Sequence, residues 1–182
     1  MGASTATDSA AKSIIMKKRF FAAIGLQLLL VVPWQVDAQP IVAQANNTVL
    51  FVCEHGTVRS LLAKVLFDAY ATEVGLRMHA ISRGTRADSV VPPWMLHGLA
   101  ADHVALGAWH PQTLLPNDLA DASYVVSFDI PSSATAAARA PRAHWDSLPS
   151  VSRDYSMGRD AIKARVRQLV DSLKRASARG AK

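Results

Sequence analysis

The sequence predicts an α/β fold: a three-layer sandwich with an open, four-stranded parallel sheet and helices on both faces. Three observations lead there. Val49–Val52 and Tyr124–Phe128 are short, unbroken apolar runs, the pattern of strands buried on both faces. Arg59–Glu73 and Gly158–Ala176 place apolar residues at helical spacing. Strand and helix alternate along the chain, which argues for parallel strands joined by helical crossovers. Right-handed crossovers then gather the C-terminal ends of the strands on one edge, where ligands bind in such sheets.

At 182 residues the chain suits one folded domain, preceded by an unusual N-terminal segment. Met16-Lys17-Lys18-Arg19 is positive, and Phe20–Val32 is a run of 13 uncharged residues. Val36-Asp37-Ala38 offers acceptable −3 and −1 residues for cleavage, and Ala43-Gln44-Ala45 is a second such site. This is the three-part pattern of a secretory signal peptide; the apolar run is too short for a membrane span of about 20 residues. The expected organisation is a signal peptide over 1–38, with Met16 an alternative start, a linker over 39–47 and the domain over 48–182. The expected location is the periplasm or beyond, without stable membrane association after cleavage.

Within the domain the first strand is expected at Val49–Val52 and the first helix at Arg59–Glu73, closed near Gly75. Arg77–Ser82 reads as the second strand and Arg83–Arg86 as a turn. Pro92-Pro93 opens the second helix, with Trp94 expected in the core. A short helix over Leu114–Ala120 leads to the third strand at Tyr124–Phe128. Pro131–Ala140 reads as a mobile loop, Ala143–Trp145 as a fourth strand and Ser147–Ser156 as a loop. The final helix follows from Gly158, with Ile162, Val166, Leu169, Val170 and Leu173 inward.

Between the first strand and helix lies Cys53-Glu54-His55-Gly56-Thr57-Val58-Arg59-Ser60. A turn from strand into helix directs backbone N–H groups into one concavity, and the helix N-terminus adds partial positive charge. The concavity therefore attracts a phosphate-like anion. Arg59 supplies a planar fork that matches two phosphate oxygens. Cys53 lies at the floor, where amides and the Arg charge favour thiolate over thiol. A thiolate beneath a phosphate is placed for in-line attack on phosphorus. Ser60 can donate its hydroxyl to that sulfur, and Gly56 suits a loop with unusual backbone angles. The competing reading is a buried, inert thiol at a strand end.

These residues resemble the low-molecular-weight protein tyrosine phosphatases and their relatives, the thioredoxin-coupled arsenate reductases. Ala80–Thr85, Trp94–His110 and Ala122–Asp129 extend the resemblance, which covers roughly Val49–Leu173. It implies Cys53 as nucleophile, Arg59 as phosphate clamp and a phosphocysteine intermediate. Three departures mark a divergent member. The family's loop-bracing Asn is replaced, since His55-Gly56 stand where Gly and Asn are usual. Val58 stands where a second Cys is common. The family's acid is an Asp followed by Pro, and this chain has no Asp-Pro. Asp146, after Trp145, is the first choice of proton donor, Asp154 the second; Asp129 reads as a turn cap.

Cys53 is the one cysteine, so no internal disulfide or self-contained redox relay can form. The formal charge is +6; cleavage after Ala38 would leave 16 basic and 12 acidic residues, mildly basic and suited to an anionic substrate. No basic patch is interleaved with aromatics, which argues against nucleic acid. His97, His103 and His110 fit no metal-ligand spacing, and no cofactor is implied. The leading expectation is a phosphatase acting on a phosphotyrosine protein or a small aryl phosphate. The alternatives are an arsenate-reductase-like enzyme that borrows an external thiol, and a phosphate or arsenate binder without turnover.

Overall fold

The computed structural model describes residues 47–180; the expected signal peptide and all of the linker except Asn47 lie outside them. Four strands, β1 (Thr48–Cys53), β2 (His79–Gly84), β3 (Tyr124–Ser127) and β4 (Arg142–His144), form one parallel sheet in the order β2-β1-β3-β4. The helices are α1 (Arg59–Glu73), α2 (Pro93–Ala101), α3 (Pro116–Asp121) and α4 (Tyr155–Gly180), with a short 3-10 turn at Ser132–Thr135.

The sheet is buried on both faces because its central strand is apolar from Val49 to Cys53. Side chains alternate across a strand, so Val49, Phe51 and Cys53 face one layer while Leu50 and Val52 face the other. The first face meets α1, α2 and α4 through Phe67, Met95, Leu99, Ile162 and Val166. The second is smaller and is covered by Leu119, Ala122 and Ile130. Beneath the C-terminal edge, Phe51, Phe67, Phe128 and Trp145 pack with ring centroids 5.6–6.3 Å apart. Edge-on and tilted contacts of this kind add about 0.5–1.5 kcal/mol each beyond area burial. They make a stiff floor for the loop that follows Cys53.

Several boundaries differ from the sequence expectation. β2 runs two residues later than expected and takes in Arg83-Gly84, because the parallel register with β1 continues to Cys53↔Gly84. Its start is fixed from outside the sheet, where the Asp68 carboxylate accepts the Ala80 N–H at 2.7 Å. α4 begins three residues early because Asp154 caps it, accepting the Met157 N–H at 2.9 Å. Trp94 is not in the core: it is exposed, and Met95 and Leu99 take the inward positions of α2. The expected mobile loop holds the 3-10 turn, pinned by the buried Thr135.

Candidate active site

β1 delivers Cys53 to the C-terminal edge, and the chain turns through Glu54–Val58 into α1. The neighbouring β2 end dictates which way that loop faces. Thr85, Arg86 and Asp88 donate their N–H groups to the carbonyl oxygens of Cys53, Glu54 and His55 at 3.0, 2.8 and 3.1 Å. The Gly56 carbonyl lies 3.0 Å from Ser82 Oγ. With the carbonyls of Cys53, Glu54 and His55 bound outward, the loop amides are free for its inner side. No side chain caps α1, so its first-turn N–H groups add to the same concavity.

Glycine is required at the crossing point. Gly56 sits at φ +74°, and a Cβ there would lie 2.8 Å from the Gly84 nitrogen. A Cβ on Gly84 would in turn meet Ala87 Cα and the His55 carbonyl carbon at 2.8 Å. The two backbones touch, so a side chain at either position would clash.

Cys53 Sγ receives the Gly56 N–H at 3.2 Å and shares a hydrogen bond with Ser60 Oγ at 3.0 Å. Ser82 Oγ lies 2.9 Å from Ser60 Oγ. Donation from Ser82 to Ser60 frees the Ser60 proton for sulfur. Ser60 and Ser82 are both buried, so this chain is shielded from water. The sulfur opens into a pocket of about 230 Å³ lined by Arg59, Asp129 and Val151 among others. Cys53 thus belongs both to the core of the first sheet face and to the lining of this pocket.

The carboxylates fall differently from the sequence expectation. Asp129 lines the pocket and forms an ion pair with Arg59. Asp146 sits behind it, accepting the Asp129 N–H at 2.9 Å, and is not among the lining residues. Asp129 in turn accepts the Ser147 N–H at 3.2 Å. This clasp joins the ends of β3 and β4 and holds Asp129 and Ser147 at φ +45° and +61°, a region uncommon for residues with a side chain. Asp154 is occupied as the α4 cap. Asp129 thus has the turn-cap role expected of it, and its other oxygen pairs with Arg59.

Of the other residues singled out, Glu54 and His55 line the pocket mouth and are half exposed. Glu54 pairs with Arg86, whereas Arg83 turns to the other face of the sheet and bonds Asp118 at 2.9 Å. Val58 lines the pocket beside Arg59; Thr57 is buried beneath the loop. Ser150 and Ser152 complete the pocket wall, and Asp88, which bonds His55 and Thr57, was not anticipated. Among the described residues no three His, Cys, Asp or Glu side chains are grouped to hold a metal ion.

A parallel α/β sheet whose first strand ends in a cysteine, an amide-lined loop and an arginine defines a phosphate-loop protein with a thiol nucleophile. Residues 48–148 match the low molecular weight phosphotyrosine protein phosphatases, and the chain belongs to that family, one of phosphate-monoester hydrolases. No curated protein matches the chain. Among solved structures, YwlE from Bacillus subtilis is 26% identical, with a TM-score of 0.60 over 70% of this chain and 98% of that one. A second YwlE structure, described as an arginine phosphatase, is 25% identical with a TM-score of 0.60, covering 70% and 95%. A thioredoxin-dependent arsenate reductase from Corynebacterium glutamicum shares the fold at 23% identity and a TM-score of 0.58, covering 71% of this chain; this chain spans 62% of that reductase.

Proposed function

We propose that this protein hydrolyses phosphate monoesters through Cys53. The Cys53 thiolate attacks phosphorus, and the P–O bond to the leaving group breaks as that oxygen takes a proton. Water then attacks the phosphocysteine, releasing inorganic phosphate and the thiolate. The loop amides and Arg59 stabilise the equatorial oxygens in both steps. The observation that carries this reading is the sulfur itself: it accepts an amide and meets a hydroxyl on the floor of a pocket walled by Arg59.

For the proton we propose Asp129, with Asp146 orienting it through the Asp129 N–H, in place of Asp146 as donor. Support comes from position: Asp129 is the Asp of the pocket lining. Arg59 keeps donors free for phosphate beyond those facing Asp129.

A phosphotyrosine protein or an aryl phosphate is the substrate class the family suggests. A second reading is favoured by the lining itself. Its one aromatic, Phe128, is fully buried, whereas Glu54 and Asp129 are carboxylates at the mouth. A cationic group beside the phosphate would have to compete with Arg86 for Glu54 and with Arg59 for Asp129, and the YwlE relative is described as an arginine phosphatase. Competition between phosphotyrosine and phosphoarginine peptides for one preparation separates the two.

The central test is hydrolysis of p-nitrophenyl phosphate by the wild type and Cys53→Ser, with and without added thiol. Thiol-independent turnover that vanishes in Cys53→Ser is expected. Thiol oxidation dependent on arsenate would favour a reductase, and phosphate affinity without turnover a binder. We further propose export, on the charged and apolar N-terminal segments. Finding the unprocessed full-length chain in the cytosol would overturn that part.

A further inference from the structure

Asp88 lies in the turn after β2, outside the pocket lining, yet both of its carboxylate oxygens are spent on the phosphate loop. Oδ1 is 3.0 Å from His55 Nδ1, and Oδ2 accepts the Thr57 hydroxyl proton at 2.9 Å. Its own N–H donates to the His55 carbonyl at 3.1 Å. These three bonds grip the residues on either side of Gly56, the residue at φ +74° whose N–H reaches Cys53 Sγ. Thr57 is fully buried, so its hydroxyl has no recourse to solvent if Asp88 withdraws.

We propose that Asp88 is a positioning residue that holds the phosphate loop in its anion-binding shape, from a neighbouring turn rather than from within the loop. It takes over the bracing left vacant by the absence of an Asn in the loop itself. The physical logic is direct. Gly56 has the widest backbone freedom in the loop, and its amide must point inward for the cup to close. Fixing His55 and Thr57 to one carboxylate restrains that freedom without placing any side chain in the cup.

The proposal rests on the phosphatase reading, but its test does not need turnover. Cys53 is the single cysteine, so alkylation reports it alone. Iodoacetate is an anion that must enter the cup, whereas iodoacetamide is neutral; their rate ratio measures the cup's attraction for anions. Asp88→Ala is expected to lower that ratio and to weaken inhibition by inorganic phosphate. It should also reduce kcat/KM for p-nitrophenyl phosphate by about ten- to a hundredfold, as displaced catalytic geometry does. Asp88→Asn keeps an acceptor for Thr57 and should recover most of the loss. Thr57→Val should shift the ratio and the phosphate inhibition in the direction of Asp88→Ala, and combining the two should add little. Should Asp88→Ala fail to fold, Asp88→Asn and Thr57→Val carry the test. A folded Asp88→Ala, or Thr57→Val, with wild-type alkylation ratio and phosphate inhibition would overturn the proposal. Hydrolysis surviving in Cys53→Ser would instead overturn the phosphatase reading and leave the alkylation comparison intact.

Discussion

At the scale of single residues the site is a set of short polar contacts around one sulfur. Ser60 contributes a hydroxyl 3.0 Å from Cys53 Sγ, and a hydrogen bond to a charged partner is worth about 1.5–3 kcal/mol. Ser60→Ala should therefore slow phosphate-ester turnover by roughly ten- to a hundredfold, since that free energy stabilises the thiolate as nucleophile and as leaving group. The two aspartates are separable by the same assay. Asp129→Asn should cut kcat by about 10²–10⁴ if it protonates the leaving group. Asp146→Asn retains an oxygen for the Asp129 N–H and should cost less than about tenfold, the loss expected for one neutral bond. An equal or larger loss in Asp146→Asn would return the acid role to that residue. That Cys53, Arg59 and Ser60 stand together was legible because it depends on near neighbours in sequence. The contacts of Asp88 and Asp129 with the loop were not, because each spans more than 30 residues.

At the scale of elements, α2 and α4 are locked by a contact that constrains both. The Tyr155 ring lies on Gly98, where an added Cβ would come within 2.3–2.6 Å of ring atoms. Gly98→Ala gains helix propensity of about 1 kcal/mol but must displace that ring, and overpacking costs about 1–3 kcal/mol. A net loss of stability on denaturant unfolding is expected. The Tyr155 hydroxyl donates to Asp102 at 2.8 Å, and Arg159 pairs with the other oxygen of Asp102 at 2.6 Å. Burial first, then the bond to Asp102 and its charge, push the Tyr155 hydroxyl well above its ordinary value. A raised value means that the folded state favours the protonated hydroxyl. Its contribution is present in full below about pH 10 and is lost as pH rises toward the raised value. Thermal melts of wild type and Tyr155→Phe should therefore differ most below pH 10 and converge above it. The helices themselves were legible from their periodicity. The start of α4 is marked locally by Asp154, the residue just ahead of it, whereas the start of the strand β2 answers to Asp68 on α1.

At the scale of the whole molecule, the order β2-β1-β3-β4 puts the strand that carries Cys53 at the centre of the sheet. Three strand ends then converge on one edge: β2 supplies the turn that fixes the loop, β3 supplies Asp129 and β4 supplies its clasp. The stiffness of that edge comes from Phe51, Phe67, Phe128 and Trp145 packed directly below it. Phe51→Ala should cost about 3–5 kcal/mol of stability by emptying the centre of this cluster, read as a lower denaturant midpoint with little change in slope. The sequence by itself determined the strand–helix alternation, the parallel sheet and the Cys53–Ser60 loop. Each of these depends on hydrophobic period or on residues a few positions apart. Only the tertiary structure decided which carboxylate faces the pocket and which turn braces the loop. Those choices depend on strand register and on the left-handed backbone at Asp129 and Ser147, and neither leaves a mark in local composition.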